Sequence, residues 1–130
     1  MIIYLIGLSI FQCFFLSNKK KIITLSLNLL YLISALLTYL LNPGTIYKSG
    51  KESKKRFCKD CKFLYPFHKS LSHCHECGIC VIGIDHHCGV FGKCIARYNI
   101  FWFYFFIICT FLSTFSCIWT LIDIMARLPF

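Results

Sequence analysis

Ile22–Leu41 runs for twenty residues without a charge, and Ile100–Ile122 for twenty-three. About 20 predominantly apolar residues are what a helix needs to cross a hydrocarbon core of roughly 30 Å. Lipid offers the backbone no hydrogen bonds, so a lipid-exposed segment of this kind is restricted to a helix. A third apolar block, Met1–Leu16, is shorter and contains Gln12. It has no basic start and no A-x-A-like cleavage site, so it reads as a retained span rather than a signal peptide. With 58% hydrophobic residues in a chain of 130 and a mean hydropathy of +0.69, there is more apolar surface than a small soluble domain can hide. Seven of the ten cysteines lie between Cys58 and Cys94, in the polar stretch between the second and third blocks. The expected layout is a first transmembrane helix at 1–17, a second at 22–41, a cysteine-rich segment at 42–97 and a third helix at 98–122.

Asn42-Pro43-Gly44 ends the second block, because Pro cannot continue a helix and Gly tolerates the turn. Ten of the fourteen Lys and Arg residues fall between Asn42 and Arg97, against Lys19, Lys20 and Lys21 between the first two blocks. The positive-inside rule puts 42–97 in the cytosol, with Lys19–Lys21 a small violation. The cytosol is reducing, so clustered cysteines there are metal ligands or reactive thiols rather than disulfides. The net charge of +9 fits an anionic leaflet or an anionic substrate, and the flanking spans argue against nucleic acid.

From Cys58 the pattern is C-x2-C-x11-H-C-x2-C-x2-C-x4-D-H-H-C-x5-C. A structural zinc site takes four Cys or His ligands in a closed tetrahedron. Two sites need eight, and six Cys with two of His73, His86 and His87 supply them, His68 and His75 being further candidates. A segment this short has little apolar core, so metal must contribute much of its folding energy. One cysteine remains. Cys88 is the best candidate, since a thiol becomes a nucleophile when a neighbouring His takes its proton and a carboxylate orients that His. His86 and Asp85 stand just before it, and His87 is then left as a ligand. No repeat of a whole unit is legible, although the C-x2-C spacing recurs.

Cys58-x2-Cys61, His73-Cys74-x2-Cys77-x2-Cys80, Asp85-His86-His87-Cys88, Cys94 and Asn99 together resemble the cysteine-rich domain of DHHC protein S-acyltransferases (palmitoyltransferases). Asn42-Pro43-Gly44 resembles the D-P-G motif of that family. The resemblance implies an α-helical integral membrane protein of about three spans, with a small cytosolic zinc-stabilised domain of short β-hairpins and loops. It implies two structural zinc ions, one on Cys58, Cys61, His73 and Cys80 and the other on Cys74, Cys77, His87 and Cys94. Cys88 would be the nucleophile, His86 its base and Asp85 the orienter. The donor would be a long-chain acyl-CoA such as palmitoyl-CoA, and the acceptors cytosolic or membrane proteins with juxtamembrane cysteines. The membrane would be endomembrane (ER or Golgi) or plasma membrane, and Phe101, Phe103 and Tyr104 would line the acyl cavity.

The chain departs from the family where Gly89-Val90 replaces Pro-Trp and where Phe91-Gly92-Lys93 replaces an Asn-rich loop. The spacer from Cys61 to His73 is longer than usual, and a fourth span and its T-T-x-E motif have no counterpart in these 130 residues. These features describe a truncated or divergent member. The competing reading is a catalytically weak or inactive membrane-anchored zinc module acting as an adaptor, and a RING-like recruiter would need a further cysteine pair. Cys13, Cys109 and Cys117 read as packing residues, His68 and His75 as surface residues, and the lysines at 51–56 as a linker near anionic lipid.

Overall fold

The computed structural model describes residues 18–46, 55–66 and 70–127, together with Gly7. The expected first span at 1–17 therefore lies, Gly7 apart, outside the described residues. So do His68, Lys51 and Lys54. Among the described residues are two helices, α1 at Asn18–Leu40 and α2 at Ile100–Met125. Both are long and apolar enough to cross a membrane. Helix α1 begins before the uncharged stretch and takes in Lys19–Lys21, because lysine is a good helix former and nothing there breaks the turn. Two compact units are distinguishable. One comprises the described residues up to Ala35 and those from Tyr104 onward; the other is Leu36–Phe103.

In the first unit the polarity is inverted relative to a water-soluble helix pair. Thr24, Tyr31 and Ser34 of α1 are buried, as are Phe106, Cys109, Ser113 and Thr120 of α2. Thr24 Oγ1 and Ser116 Oγ share a hydrogen bond of 3.2 Å, and the rings of Tyr31 and Phe106 lie 5.0 Å apart. Ile22, Leu29, Phe111, Phe115 and Trp119 are exposed. Small and polar residues between helices with large apolar ones outside is the arrangement lipid favours. Lys20 meets Asp123 at 3.6 Å.

The second unit is three antiparallel hairpins in sequence: β1 Lys55–Cys58 with β2 Phe63–Pro66, β3 Leu71–Cys74 with β4 Ile79–Ile82, and β5 Ile84–Cys88 with β6 Lys93–Ala96. They are variants of one motif, which corrects the expectation that no whole unit repeats. In each, the first strand ends on a cysteine, Cys58, Cys74 or Cys88, paired with the residue five positions on: Phe63, Ile79 or Lys93. Just before each second strand stands a left-handed residue, Lys62 (φ 53°), Gly78 (φ 65°) or Gly92 (φ 61°). Three residues after the strand-ending cysteine come Cys61, Cys77 and then Phe91. The third hairpin has the first half of a metal-binding knuckle and lacks the second.

The apolar cores here are small and largely sulfur. Cys74 and Cys94 cluster with Val81 and Ala96, and Cys80 with Tyr65 and Leu71.

The hairpins are fastened to the end of α1 through the orphan carbonyls that every helix leaves at its C-terminus. Lys93 Nζ donates to the carbonyls of Tyr39 (2.5 Å) and Leu41 (2.7 Å). Asn99 Nδ2 donates to Cys94 O at 3.1 Å and, at 3.4 Å, to Thr38 O. Asn42 Oδ1 accepts from the backbone N–H groups of Gly44 and Thr45, closing the turn after the helix. Gly44 then takes φ +116° and passes its carbonyl to Ile82 N. A Cβ at Gly44 would stand 3.1 Å from the Tyr98 ring.

Candidate functional site

Hairpin register brings the histidines to the cysteines. His73 pairs with Cys80 across β3–β4, and His87 with Cys94 across β5–β6. Each pair faces the knuckle of the preceding hairpin, Cys58/Cys61 or Cys74/Cys77. The donor atoms of Cys58, Cys61, His73 and Cys80 lie within 4.8 Å of one another, and so do those of Cys74, Cys77, His87 and Cys94. His73 Nδ1 is 3.7 Å from Cys58 Sγ, 3.2 Å from Cys61 Sγ and 3.8 Å from Cys80 Sγ. His87 Nδ1 is 3.7 Å from Cys74 Sγ and 3.2 Å from Cys77 Sγ, while Cys94 and Cys77 sulfurs are 3.4 Å apart. With Zn–S bonds of about 2.3 Å, a tetrahedron sets its sulfurs about 3.8 Å apart. Both clusters therefore suit a tetrahedral cation.

The protonation states point the same way. Burial, and then the neighbouring Cys58 and Cys61, push the Cys80 thiol up to about 12. Burial, and then Cys74 and Cys77, push Cys94 up as well. Burial also raises Cys74, but the Cys77 backbone N–H and the side chains of Cys94, His87 and Cys77 outweigh it and bring that thiol down to about 7. Thiols crowded in this way cannot all ionise with nothing between them. A divalent cation removes that obstacle.

Cys88 stands outside both clusters. It is buried, at 9% exposure, on the strand that carries His87. Strand alternation puts His86 and Cys88 on one face and His87 on the other. A register shift between Ile84 and His86 leaves Asp85 out of the ladder. Such a bulge re-aims a side chain, and here the Asp85 carboxylate accepts a hydrogen bond from His86 Nδ1 at 2.8 Å. A carboxylate can only accept, so Nδ1 carries the hydrogen, and in a neutral ring Nε2 is the nitrogen that can take a proton. The His86 ring rests edge-on against Phe103, 5.0 Å between centroids, and the Phe91 ring lies 6.2 Å from that of Phe103.

Two contributions escape a reading of the sequence. Lys93 is the ladder partner of Cys88 and also the cap of α1. Its charge is visible in the sequence, but the helix end it reaches is some fifty residues away. Phe91 occupies the place of a knuckle cysteine, a signal available only once the three hairpins are aligned. His75, read as a surface residue, is exposed, and its ring meets that of His73 at 4.9 Å.

Residues 51–129 match the family model described as DHHC palmitoyltransferase. Among curated proteins, Palmitoyltransferase ZDHHC18 of Mus musculus is 35% identical over 95 residues, 69% of this chain and 24% of that protein. Protein S-acyltransferase 10 of Arabidopsis thaliana is 39% identical over 79 residues, 59% of this chain and 21% of that protein. Palmitoyltransferase swf1 of Schizosaccharomyces pombe is 36% identical over 81 residues, 53% and 22% respectively. The chain thus spans about a quarter or less of the length of these relatives. A match over well more than half of the chain, centred on two cysteine–histidine clusters with a cysteine between them, settles the family: this chain belongs to the DHHC palmitoyltransferases.

Proposed function

We propose that this chain carries out protein S-acylation in a membrane, through a thioester on Cys88. The observation that carries the reading is a cysteine outside both four-residue clusters, sharing a strand face with a histidine whose Nδ1 is held by Asp85. In the first step His86 Nε2 takes the Cys88 proton. The thiolate attacks the carbonyl carbon of a long-chain acyl-CoA, the C–S bond to CoA breaks, and the CoA thiolate takes up the proton from His86. In the second step a substrate cysteine thiolate attacks the Cys88 thioester, a new thioester forms and Cys88 leaves as the thiolate. Asp85 orients His86 and stabilises its protonated form between the two transfers.

Cys58, Cys61, His73 and Cys80 would hold one zinc, and Cys74, Cys77, His87 and Cys94 the other. Zinc in closed four-ligand sites supplies folding energy rather than a reactive position. Bound there, the two ions would fix hairpins that have little apolar core, and with them Cys88. Phe103, in contact with His86, together with Phe101 and Tyr104, would meet the acyl chain. The apolar outer faces of α1 and α2, and the ten basic residues between Asn42 and Arg97, support helices in the bilayer with the hairpins on the cytosolic side. Acceptors would be cysteines close to that surface.

The test is incubation of the purified, detergent-solubilised chain with palmitoyl-CoA. A hydroxylamine-labile adduct that disappears in Cys88→Ser supports the reading. A zinc-loaded, folded protein with no adduct would instead make the chain a membrane-anchored adaptor.

A further inference from the structure

Beside the first cluster lies a second set of donors. Asp60, in the turn after Cys58, and His75, in the turn after Cys74, each bring a donor atom within 4.8 Å of a ring nitrogen of His73 and of each other. Both are exposed, whereas His73 is half-buried. They line an open pocket of about 390 Å³ that Cys58, His73 and Cys80 also line. Asp60 Oδ2 stands 4.0 Å from Cys58 Sγ, and the rings of His73 and His75 are 4.9 Å apart. One carboxylate and two imidazoles suit a borderline divalent cation, and the pocket leaves room for its waters.

His73 belongs to both sets, so the two positions lie side by side and share a ligand. We propose that Asp60, His73 and His75 form a loading site, where a divalent ion such as zinc is first held by oxygen and nitrogen ligands. From there it passes to the thiols of Cys58, Cys61 and Cys80. His73 remains bound throughout, or rebinds within one ring's width. Asp60 and His75 leave as the sulfurs enter, and the thiol protons go to solvent. The second cluster, with Cys74 and Cys94 both buried, has no such donor set among the described residues. The first site is then the exchangeable one.

The inference rests on the first cluster being a zinc site, and total zinc measured at the outset separates failure of that premise from failure of the loading role. The experiment follows exchange of bound zinc for a stable zinc isotope in the intact, solubilised chain by mass spectrometry. The unaltered protein should exchange one ion much faster than the other. Asp60→Asn with His75→Asn should retain two zinc ions and slow the fast exchange at least several-fold, because the entering ion loses its first ligands. Glu76→Gln, at an exposed position outside that pocket, should leave it unchanged. Unaltered exchange in the double variant would overturn the proposal. So would loss of an ion at equilibrium, which would make Asp60 and His75 permanent supports. A zinc content of one or none in the unaltered chain would remove the premise instead.

Discussion

Cys88 and Cys94 sit on facing strands of one hairpin, both buried and both without a disulfide, yet among the described residues only Cys94 belongs to a four-donor cluster. Cys88→Ser should therefore keep about two zinc ions per chain, as two four-ligand sites require, and lose any thioester. Cys94→Ser should lose one ion and destabilise the hairpins, since metal binding there is also folding energy. His86→Ala should match Cys88→Ser in zinc content and slow acylation by about 10²–10⁴-fold, the usual contribution of a proton-transfer group. His87→Ala should behave as Cys94→Ser. Zinc content and adduct measured on all four separate the roles, and zinc lost from Cys88→Ser would make Cys88 a ligand. The same crowding of thiols sets a pH dependence. Below its raised value of about 12, Cys80 keeps its proton in the empty site, so zinc must displace it. Zinc affinity should rise as pH rises from about 6 to 8 and fall as pH falls, with at least one proton released per ion bound. Calorimetry in buffers of different ionisation enthalpy counts those protons.

At the scale of the hairpin, the ligand types and the surplus cysteine are legible because C-x2-C and D-H-H-C need only local spacing. The pairing of His73 with Cys80 and of His87 with Cys94 is not, because register is set by the turn, and a slip of one residue would turn each donor to the opposite face. The repeat escapes notice for a related reason: what recurs is conformation, with Lys62 doing in the first turn what Gly78 and Gly92 do in the others. Lys93 is legible as a charge but not as a cap. Its ammonium, over the Tyr39 ring at 5.8 Å, holds two helix-end carbonyls. Lys93→Met should lower stability by about 1.5–3 kcal/mol, the range for hydrogen bonds to a charged group. Thermal unfolding of the zinc-loaded protein measures it, and an unchanged midpoint would mean that water serves those carbonyls equally well. In the turn itself, a Cβ at Gly89 meets nothing within 4 Å and Val90 is 71% exposed. A Cβ at position 89 and a larger side chain at position 90 therefore meet open space, and Gly89→Pro with Val90→Trp tests the loop. It should stiffen the backbone beside Cys88 and raise the rate of transfer from thioester to substrate several-fold; an equal or lower rate would mean that this loop positions the thioester by other contacts.

The whole molecule joins an apolar, inside-polar helix pair to a sulfur-cored, basic segment, and charge decides which way that combination sits in a bilayer. Ten basic residues lie between Asn42 and Arg97, three at Lys19–Lys21 and one at Arg127. Lys20 and Arg127 both reach Asp123, at 3.6 Å and 2.8 Å, so part of the opposing positive charge is neutralised where it stands. Short-loop lysines and arginines dominate orientation, and ten set against a partly paired four favours the hairpin side as cytosolic. That orientation would keep the thiols where they persist reduced and would offer an anionic acyl-CoA a basic surface. In sealed microsomes, a protease added outside should therefore cleave within 42–97 once zinc is chelated. A glycosylation acceptor appended after Phe130 should be modified, and one inserted at the poorly basic edge of the hairpin segment, beside Thr45, should not. Glycosylation beside Thr45 with an unmodified C-terminus would invert the orientation. It would put the thiols in an oxidising lumen, where thioester chemistry on Cys88 would have to compete with disulfide formation with the six other cysteines of the segment.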